Sequence, residues 1–372
     1  MKIGILTLHR AVNYGAVLQA YALTKKCIDL DAEAELIDYR CKFTEDYYNG
    51  FKLFLPKNWK RLSAYILQNG NLTPDKELLF SFLKRKGILS EEVYYDNKHL
   101  GLANDKYNKF IVGSDQVWNP RTAGFDKAYF LDFVYDNQKK ASYAASFGIS
   151  SIPVELQKIY GDLLSGFSNY SVREKTGRVI VQDLLGRCPT VNLDPTLLFE
   201  KEEWFASINY DFIRTELKKL KEYILIYTIS PNENMIRYAK KISKNNNIPV
   251  LYINDRWRKT RGLINLRKIN IDEWLFLFKN ASVVVTDSFH GTAFSVNFER
   301  NFVTFQESFS KKSSRIVSLL EATGLKTRLF NEKSILELSD VFPINFDEAN
   351  KKLYSLRNES ISDLRRIIYD ER

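Results

Sequence analysis

Residues 283–297 read VVVTDSFHGTAFSVN. An apolar, β-branched run stops at Asp287, and Gly291 and Thr292 then open a stretch of helical character. A short apolar run bounded by polar residues suits a strand covered on both faces of a parallel sheet. The joint that follows would carry Asp287, Ser288 and His290 at the strand's carboxyl end. There the unpaired N–H groups and positive dipole end of a new helix favour an anion. Gly291 would let backbone approach a ligand, Thr292 would add a hydroxyl, and His290 would supply a proton donor or acceptor. His290 is one of three histidines in 372 residues. The plainer alternative is that Asp287 or Ser288 caps the helix and His290 is satisfied within a loop.

Working outward, strand-like and helix-like segments alternate along the chain. KIGILTL (2–8) and AELIDY (34–39) read as strands flanking a helix over 13–27, and KFIVGSDQVW (109–118) as a strand that breaks at Gly113. ASYAASFG (141–148) and YSVRE (170–174) read as strands around a helix over 153–167, and residues 41–105 as less regular, with helical pieces near 59–68 and 76–86. The pattern restarts with strands at 222–230, 250–255, 282–287 and 301–306. Helices are expected over 232–246, 271–281 and 313–325, with a long charged one over 346–371. Such alternation predicts an α/β protein of parallel sheets covered by helices. Two restarts predict two Rossmann-like domains facing a central cleft, over 1–205 and 206–345, with a C-terminal helix over 346–372 packing back across them. Ligands in such sheets bind outside the carboxyl ends of the strands.

Four more stretches, at strand ends or helix starts, carry candidate residues. TLHRAVNYGAVLQAYAL (7–23) places His9, Arg10, Asn13, Tyr14 and Gly15 where a strand gives way to a helix. It lacks GxGxxG, so it is no dinucleotide fingerprint, and Asn13 also suits a plain helix cap. FIVGSDQVWNP (110–120) presents Gly113, Ser114, Asp115, Gln116 and Trp118. Asp and Gln suit sugar hydroxyls and Trp a sugar face, and Asp115 suits general acid or base work. An Asx turn with Trp118 in the core is equally compatible. Arg173 in SVREK (171–175) is placed to grip a carboxylate bidentately, or else forms a surface ion pair. KKSSR (311–315) opens a helix with Lys311, Lys312, Ser313, Ser314 and Arg315, an anion-binding composition in which Ser313 alone would serve as an N-cap.

Composition bounds the remainder. Aromatics make up 14% of the chain, more than usual, and most belong in cores. The net charge of +10 is spread out, densest at RWRKTRGLINLRK (256–268), and neither that run nor RTELKKLKEY (214–223) forms a nucleic-acid-binding motif. No nucleic-acid partner is expected, whereas an anionic membrane surface suits the charge. Three cysteines without CxxC spacing make neither a disulfide framework nor a zinc site, and no metal is expected. No apolar run approaches the ~20 residues of a membrane span. A cytoplasmic protein, with any membrane contact peripheral, is the expectation.

Taken together, KIGILTLHRAVNYGAVLQAYAL, FIVGSDQVW, ASYAASFG, SVRE, LDPTLLF, VVVTDSFHGTAFS and SSRIVSLLEATGL resemble, in order and spacing, the polysaccharide pyruvyl transferase family. The resemblance implies a GT-B-like pair of Rossmann domains. It implies transfer of pyruvate from phosphoenolpyruvate, a donor substrate and not a cofactor, to two hydroxyls of a sugar, forming a ketal. His290 matches the family's strand-end histidine, and Arg173 is the best match to its first-domain arginine. Some members carry Arg where this chain has Ser288, and Lys311, Lys312 and Arg315 are the nearest residues to restore that charge. His290 would then serve the donor phosphate, Arg173 its carboxylate, and Asp115 the acceptor hydroxyls or the donor carbon. The acceptor would be a precursor of capsule or exopolysaccharide, lipid-diphosphate-linked where assembly is on the membrane. The alternatives are a GT-B glycosyltransferase using a nucleotide sugar and a non-catalytic partner in surface-polysaccharide assembly.

Overall fold

A computed structural model describes residues 1–49, 76–230, 233–254, 259–306, 314–330 and 343–369. The helical piece expected near 59–68, the basic residues 256–258, and Lys311, Lys312 and Ser313 lie outside the described residues, as does the side chain of Ser314.

The first sheet contains β1 (Lys2–Leu6), β2 (Glu33–Tyr39), β3 (Leu89–Tyr94), β4 (Lys109–Val112) and β5 (Lys140–Ser142), in the order β3-β2-β1-β4-β5. Every neighbouring pair is parallel. A parallel pair, β6 (Ser171–Val172) and β7 (Thr190–Val191), continues it, because Ser142 N donates to Asn169 O and Ala145 N to Ser171 O. The second sheet, β8 (Ile224–Tyr227), β9 (Val250–Ile253), β10 (Ile264–Leu266), β11 (Val283–Thr286), β12 (Asn301–Phe305) and β13 (Leu329–Phe330), has the order β10-β9-β8-β11-β12-β13 and is also all parallel. Each sheet starts in the middle and reverses direction after its third strand, so each has its switch point beside its first strand. We propose that the division between the two domains falls in the connecting stretch 192–223.

The helices are α1 (Tyr14–Asp29), α2 (Lys42–Asn49), α3 (Lys76–Arg85), α4 (Asn97–Gly101), α5 (Val154–Ser165), α6 (Lys175–Leu185), α7 (Lys201–Ser207), α8 (Thr215–Lys218), α9 (Glu233–Asn246), α10 (Ile271–Asn280), α11 (Phe289–Asn297), α12 (Ser314–Ala322) and α13 (Asp347–Tyr369). The central strands ILIY and VVVT are buried at every residue, as helices on both faces require. Helix ends follow local chemistry. Asn13 caps α1 by accepting from Gly15 N and Ala16 N, and Asn270 with Glu273 forms a capping box on α10. Among its described residues, the irregular stretch 41–105 holds one strand unforeseen by the sequence, β3. Its LSEEVY carries two adjacent exposed glutamates and stands at a sheet edge, so it lacks the apolar run of an interior strand.

The two sheets share one apolar core. Tyr14, Val17 and Leu18 of α1 belong to the same buried cluster as Trp274 of α10 and Phe294 of α11. Tyr14 stacks on Trp274 at 5.8 Å between ring centres, and its hydroxyl donates to Ile269 O at 2.8 Å. Helix α13 then straps the halves together, as the sequence predicts. Lys109 Nζ donates to Ile367 O, Thr190 and Asn192 donate to Asp363, and Leu193 N donates to Ser360 Oγ. Arg357 donates to Leu197 O, to Phe199 O and to Asn297 Oδ1, so one buried guanidinium joins α13, the connecting stretch and α11.

Removing Arg357 leaves the buried Leu197 carbonyl and the Asn297 amide oxygen without that donor, while Phe199 O keeps Asn297 Nδ2. Arg357→Ala should cost about 2 kcal/mol of unfolding free energy. The exposed Arg365→Ala, two turns on, should stay within about 0.5 kcal/mol. Guanidinium titrations of both variants check this, and equal midpoints would refute it.

Candidate active site

A cleft of about 760 Å³ opens between the carboxyl ends of the two sheets. Asp115, Gln116 and Asn119, from the loop after β4, line one wall together with Gly148–Ser151 after β5. Asp287, Ser288, Phe289 and His290 after β11 line the other, with Arg315 of α12. Asn13 reaches the cleft from the start of α1. Two strand ends that the sequence picked out separately, one from each sheet, therefore share one cavity.

The β11–α11 joint is built tightly. Ser288 N donates to Thr286 Oγ1, and Ser288 Oγ accepts from Gly291 N at 3.3 Å, which makes Ser288 the helix cap. A Cβ at Gly291 would stand 2.3 Å from Thr286 Oγ1, so glycine there serves packing of the helix on its own strand. His290 is 5% exposed and lies across the seam against the first domain. A Cβ on Gly15 would fall 2.0 Å from His290 Nδ1 and 2.1 Å from its Cγ. Only glycine at the start of α1 leaves room for this ring.

Behind His290 stands Asp194, a residue of LDPTLLF to which the sequence assigned no role. It is 1% exposed. Its Oδ1 accepts from Thr196 N and Thr196 Oγ1, which pins the carboxylate to its own turn. Its Oδ2 accepts from Arg173 Nη1 at 2.6 Å and from Ser114 Oγ at 3.2 Å, and lies 3.7 Å from His290 Nε2. Burial alone would raise the Asp194 pKa, but His290 and Arg173 outweigh it and hold the carboxyl well below the usual carboxylate range. Burial likewise works against the Arg173 charge, and Asp194, Asp115 and Glu174 overcome it and raise the Arg173 pKa.

Arg173 does not line the cleft. It is buried behind the wall, with its guanidinium carbon 4.7 Å from the centre of the Phe289 ring. The Arg315 guanidinium carbon lies 5.8 Å from that same ring. Two arginines thus approach one aromatic ring, a cation–π arrangement. Burial, then the neighbouring Arg173, pull the Arg315 pKa down to about 10 against three carboxylates. Arg315 Nε, Arg173 Nε and Nη2, and His290 Nε2 are enclosed and have no hydrogen bond among the described residues. Opposite, Asp115 holds a left-handed backbone at φ 63° and brings Oδ1 to 3.6 Å from Arg173 Nη2. Asp tolerates that conformation better than most residues. The loop is braced by Gln19, which accepts from Ser114 N and donates to Thr7 Oγ1. Enclosed donors converging beside an open polar cavity suit an anion. Among the described residues no group of three or more His, Cys, Asp or Glu is placed to hold a metal ion, and no helix is long and apolar enough to cross a membrane.

Several residues singled out from the sequence sit elsewhere than expected. Trp118 is fully buried, donates to Tyr129 O and stacks on Phe130, so it is core and offers no sugar face. Thr292 is buried, bonded to Ser288 O and Thr304, and adds no hydroxyl to the cleft. Gly291, as shown, gives no backbone approach to a ligand. Tyr14 belongs to the inter-sheet seam. His9 is buried near the end of β2, with Nδ1 on Thr7 O and Nε2 3.6 Å from Asp38, and does not line the cleft. Ser114 and Gly113 lie under the wall, where a Cβ at Gly113 would stand 2.1 Å from Tyr143 O. Asp287 lines the cleft but is engaged, accepting from Thr228 Oγ1, Ile229 N and Ser230 N, and burial raises its pKa. Among the residues added by the structure are Asp194, Asn119, Arg121, Gly148 and Phe289. Asp194 drew no reading of its own from the sequence, because three of its partners come from distant segments.

The depressed Asp194 pKa has a consequence for stability. Its contribution is present in full above the unfolded carboxylate pKa of ~3.9 and is lost as pH falls through the lower folded value. Asp194→Asn should therefore be less stable than the parent at pH 6, with the gap narrowing below pH ~4. Paired thermal melts across that range test it, and a gap that stays constant with pH would contradict it.

Comparison with solved structures places the whole chain on known folds at low identity. It aligns with UDP-GlcNAc 2-epimerase from Neisseria meningitidis bound to UDP-GlcNAc at 8% identity, covering 100% of this chain and 99% of that chain, with a TM-score of 0.54. A second UDP-N-acetylglucosamine 2-epimerase aligns at 11% identity over 99% and 94% of the two chains, also at 0.54. The enzyme from Rickettsia bellii aligns at 10% identity over 99% and 96%, at 0.50. At such identities the likeness shows the fold alone, which is the GT-B arrangement. Comparison with curated proteins gave no match. The sequence profile described as polysaccharide pyruvyl transferase matches residues 13–308, running from the cap of α1 to just past β12 and including the His290 joint. By that match, over most of its length and across both walls of the cleft, the chain belongs to the polysaccharide pyruvyl transferase family.

Proposed function

We propose that this protein transfers pyruvate from phosphoenolpyruvate to two hydroxyls of a sugar in a polysaccharide precursor, forming a ketal and releasing phosphate. The observation that carries the proposal is the convergence of His290, Arg315 and the capped end of α11 on one side of a cleft whose other side presents Asp115, Gln116 and Asn119. Phosphoenolpyruvate carries two anionic groups, and the second-domain side offers His290, the Arg315 guanidinium and the start of α11 for them. Its opposite side offers carboxylate and amide groups suited to hydroxyls. This assigns the donor to the second domain and the acceptor to the first.

The reaction balances without a redox change. One hydroxyl oxygen adds to the donor's central carbon while the methylene carbon gains a proton. The carbon–oxygen bond to phosphate then breaks, and the second hydroxyl oxygen closes the ketal. Of the two hydroxyl protons, one is accounted for on the new methyl group and one on the released phosphate. In this reading His290 and Arg315 contact the donor directly, Arg315 restoring a charge next to Ser288. Arg173, which the sequence placed on the donor carboxylate, stands behind Phe289. Its role becomes holding Asp194 and adding positive field to the site. Asp115 is the group positioned to take a hydroxyl proton.

A nucleotide-sugar transferase would share this fold, and one structural neighbour was solved bound to UDP-GlcNAc. Thermal unfolding separates the two readings. Millimolar phosphoenolpyruvate should raise the midpoint by several degrees through binding to the folded state, and uridine diphosphate should not. The phosphoenolpyruvate shift should vanish in His290→Ala and shrink in Arg315→Ala. A charge-assisted contact is worth ~1.5–3 kcal/mol, so Arg315→Ala should weaken donor affinity about tenfold or more. A shift with the nucleotide alone would overturn the proposal in favour of glycosyl transfer.

A further inference from the structure

We infer that His290 acts through Nδ1 toward the cleft, with Asp194 as the positioning residue behind Nε2 and Gly15 as the gap that admits the ring. The inference rests on the assignment of His290 to the donor phosphate. The two ring nitrogens have unlike surroundings. Nε2 is enclosed, has no hydrogen bond among the described residues, and points at Asp194 Oδ2 from 3.7 Å. The ring packs against Gly15 around Nδ1 and Cγ, and Nδ1, unlike Nε2, is not an enclosed, unsatisfied atom of this cleft-lining residue.

A carboxylate facing an imidazole nitrogen favours a proton on that nitrogen, and so fixes the tautomer and the ring orientation. Here the carboxylate is itself immobile. Thr196 holds Oδ1 through two bonds, and Arg173 and Ser114 hold Oδ2. Asp194 therefore keeps its charge and takes no proton. The neutral ring carries its proton on Nε2 and presents the Nδ1 lone pair to the cleft. The imidazolium carries N–H at both. In the transfer step the Nδ1 proton passes to the bridging oxygen of the donor phosphate as its bond to carbon breaks. The ring is left neutral, with Nε2–H still directed at Asp194. The second hydroxyl then attacks the carbon and its proton restores Nδ1, so the histidine ends as it began.

Gly15 is the third part of the device. Any side chain there would occupy the space of the imidazole, at 2.0 Å from Nδ1 and 2.6 Å from Cε1. The first domain thus shapes the environment of a second-domain catalytic group, and Asp194 positions that group from the connecting stretch.

The test is a ¹⁵N spectrum of the full chain labelled at histidine. Three histidines give a simple spectrum, and His290→Gln assigns the signal. At high pH His290 should show an N–H type shift at Nε2 and a lone-pair type shift at Nδ1. Phosphoenolpyruvate or inorganic phosphate should then perturb Nδ1. Asp194→Asn should lose the tautomer preference, while Ser114→Ala, which loosens the same Oδ2 without changing its charge, should keep it. Gly15→Ala leaves Asp194 and Arg173 intact, yet should abolish the phosphate effect on Nδ1 and lower turnover by ~100-fold. An Nδ1–H tautomer in the parent protein, or a tautomer unchanged by Asp194→Asn in a folded variant, would overturn the inference. A parent that keeps the Nε2–H tautomer but responds to neither phosphoenolpyruvate nor phosphate would instead reject the donor assignment and leave the Asp194–His290 relation supported.

Discussion

The Asp194 carboxylate is the point on which the site depends. Five groups reach it from four places: Arg173 after β6, Ser114 after β4, His290 at α11, and the amide and hydroxyl of Thr196 in its own turn. Taking a carboxylate and a guanidinium out of water costs several kcal/mol each. Only short, well-directed bonds offset that cost. Such a group is poor as a source of stability and good as a source of position, since any displacement leaves a buried charge unsatisfied. That makes it a suitable anchor for a histidine that must hold its orientation across a domain seam.

The seam explains why the site can be exact in a two-domain molecule. Paired Rossmann units joined by a linker alone would be free to move relative to one another. Here α1 of the first domain lies against α10 and α11 of the second through Tyr14, Trp274 and the Gly15–His290 contact, and α13 closes the far side through Arg357. The cleft is thus bounded at its base by a continuous apolar core. Its polar groups sit where water has been partly excluded, which strengthens each charge interaction there. The lowered Arg315 pKa expresses the same field: a second cation near Arg173, in a partly desolvated place, is held in a state that an incoming anion would relieve.

Much of the fold was legible along the chain. Apolar runs such as ILIY and VVVT are buried on both faces, so their composition announces an interior strand wherever the run ends up. The helices over 14–29, 154–165, 233–246 and 271–280 carried their caps or periodicity in local sequence. Edge elements were not legible. β3 faces water with adjacent glutamates, and β10 and β13 span three and two residues. Such strands owe their form to a neighbour already in place.

The strand-end positions of Asp115, Ser288 and His290 were readable as well, because a polar cluster straight after an apolar strand is a local pattern, and Arg315 was readable as a residue opening a helix. Which of the polar residues would face the cleft was not. Thr292, Trp118 and His9 stand in the same kinds of stretch and turn into the core, while Asp194 drew no reading of its own. Sequence determined the periodicity of burial and the places where ligands can approach, since both follow from neighbours along the chain. Tertiary structure alone decided that Gly15 exists to clear space for His290 and that Asp194 stands behind it, because those contacts join residues 275 and 96 positions apart and depend on how two separate sheets pack.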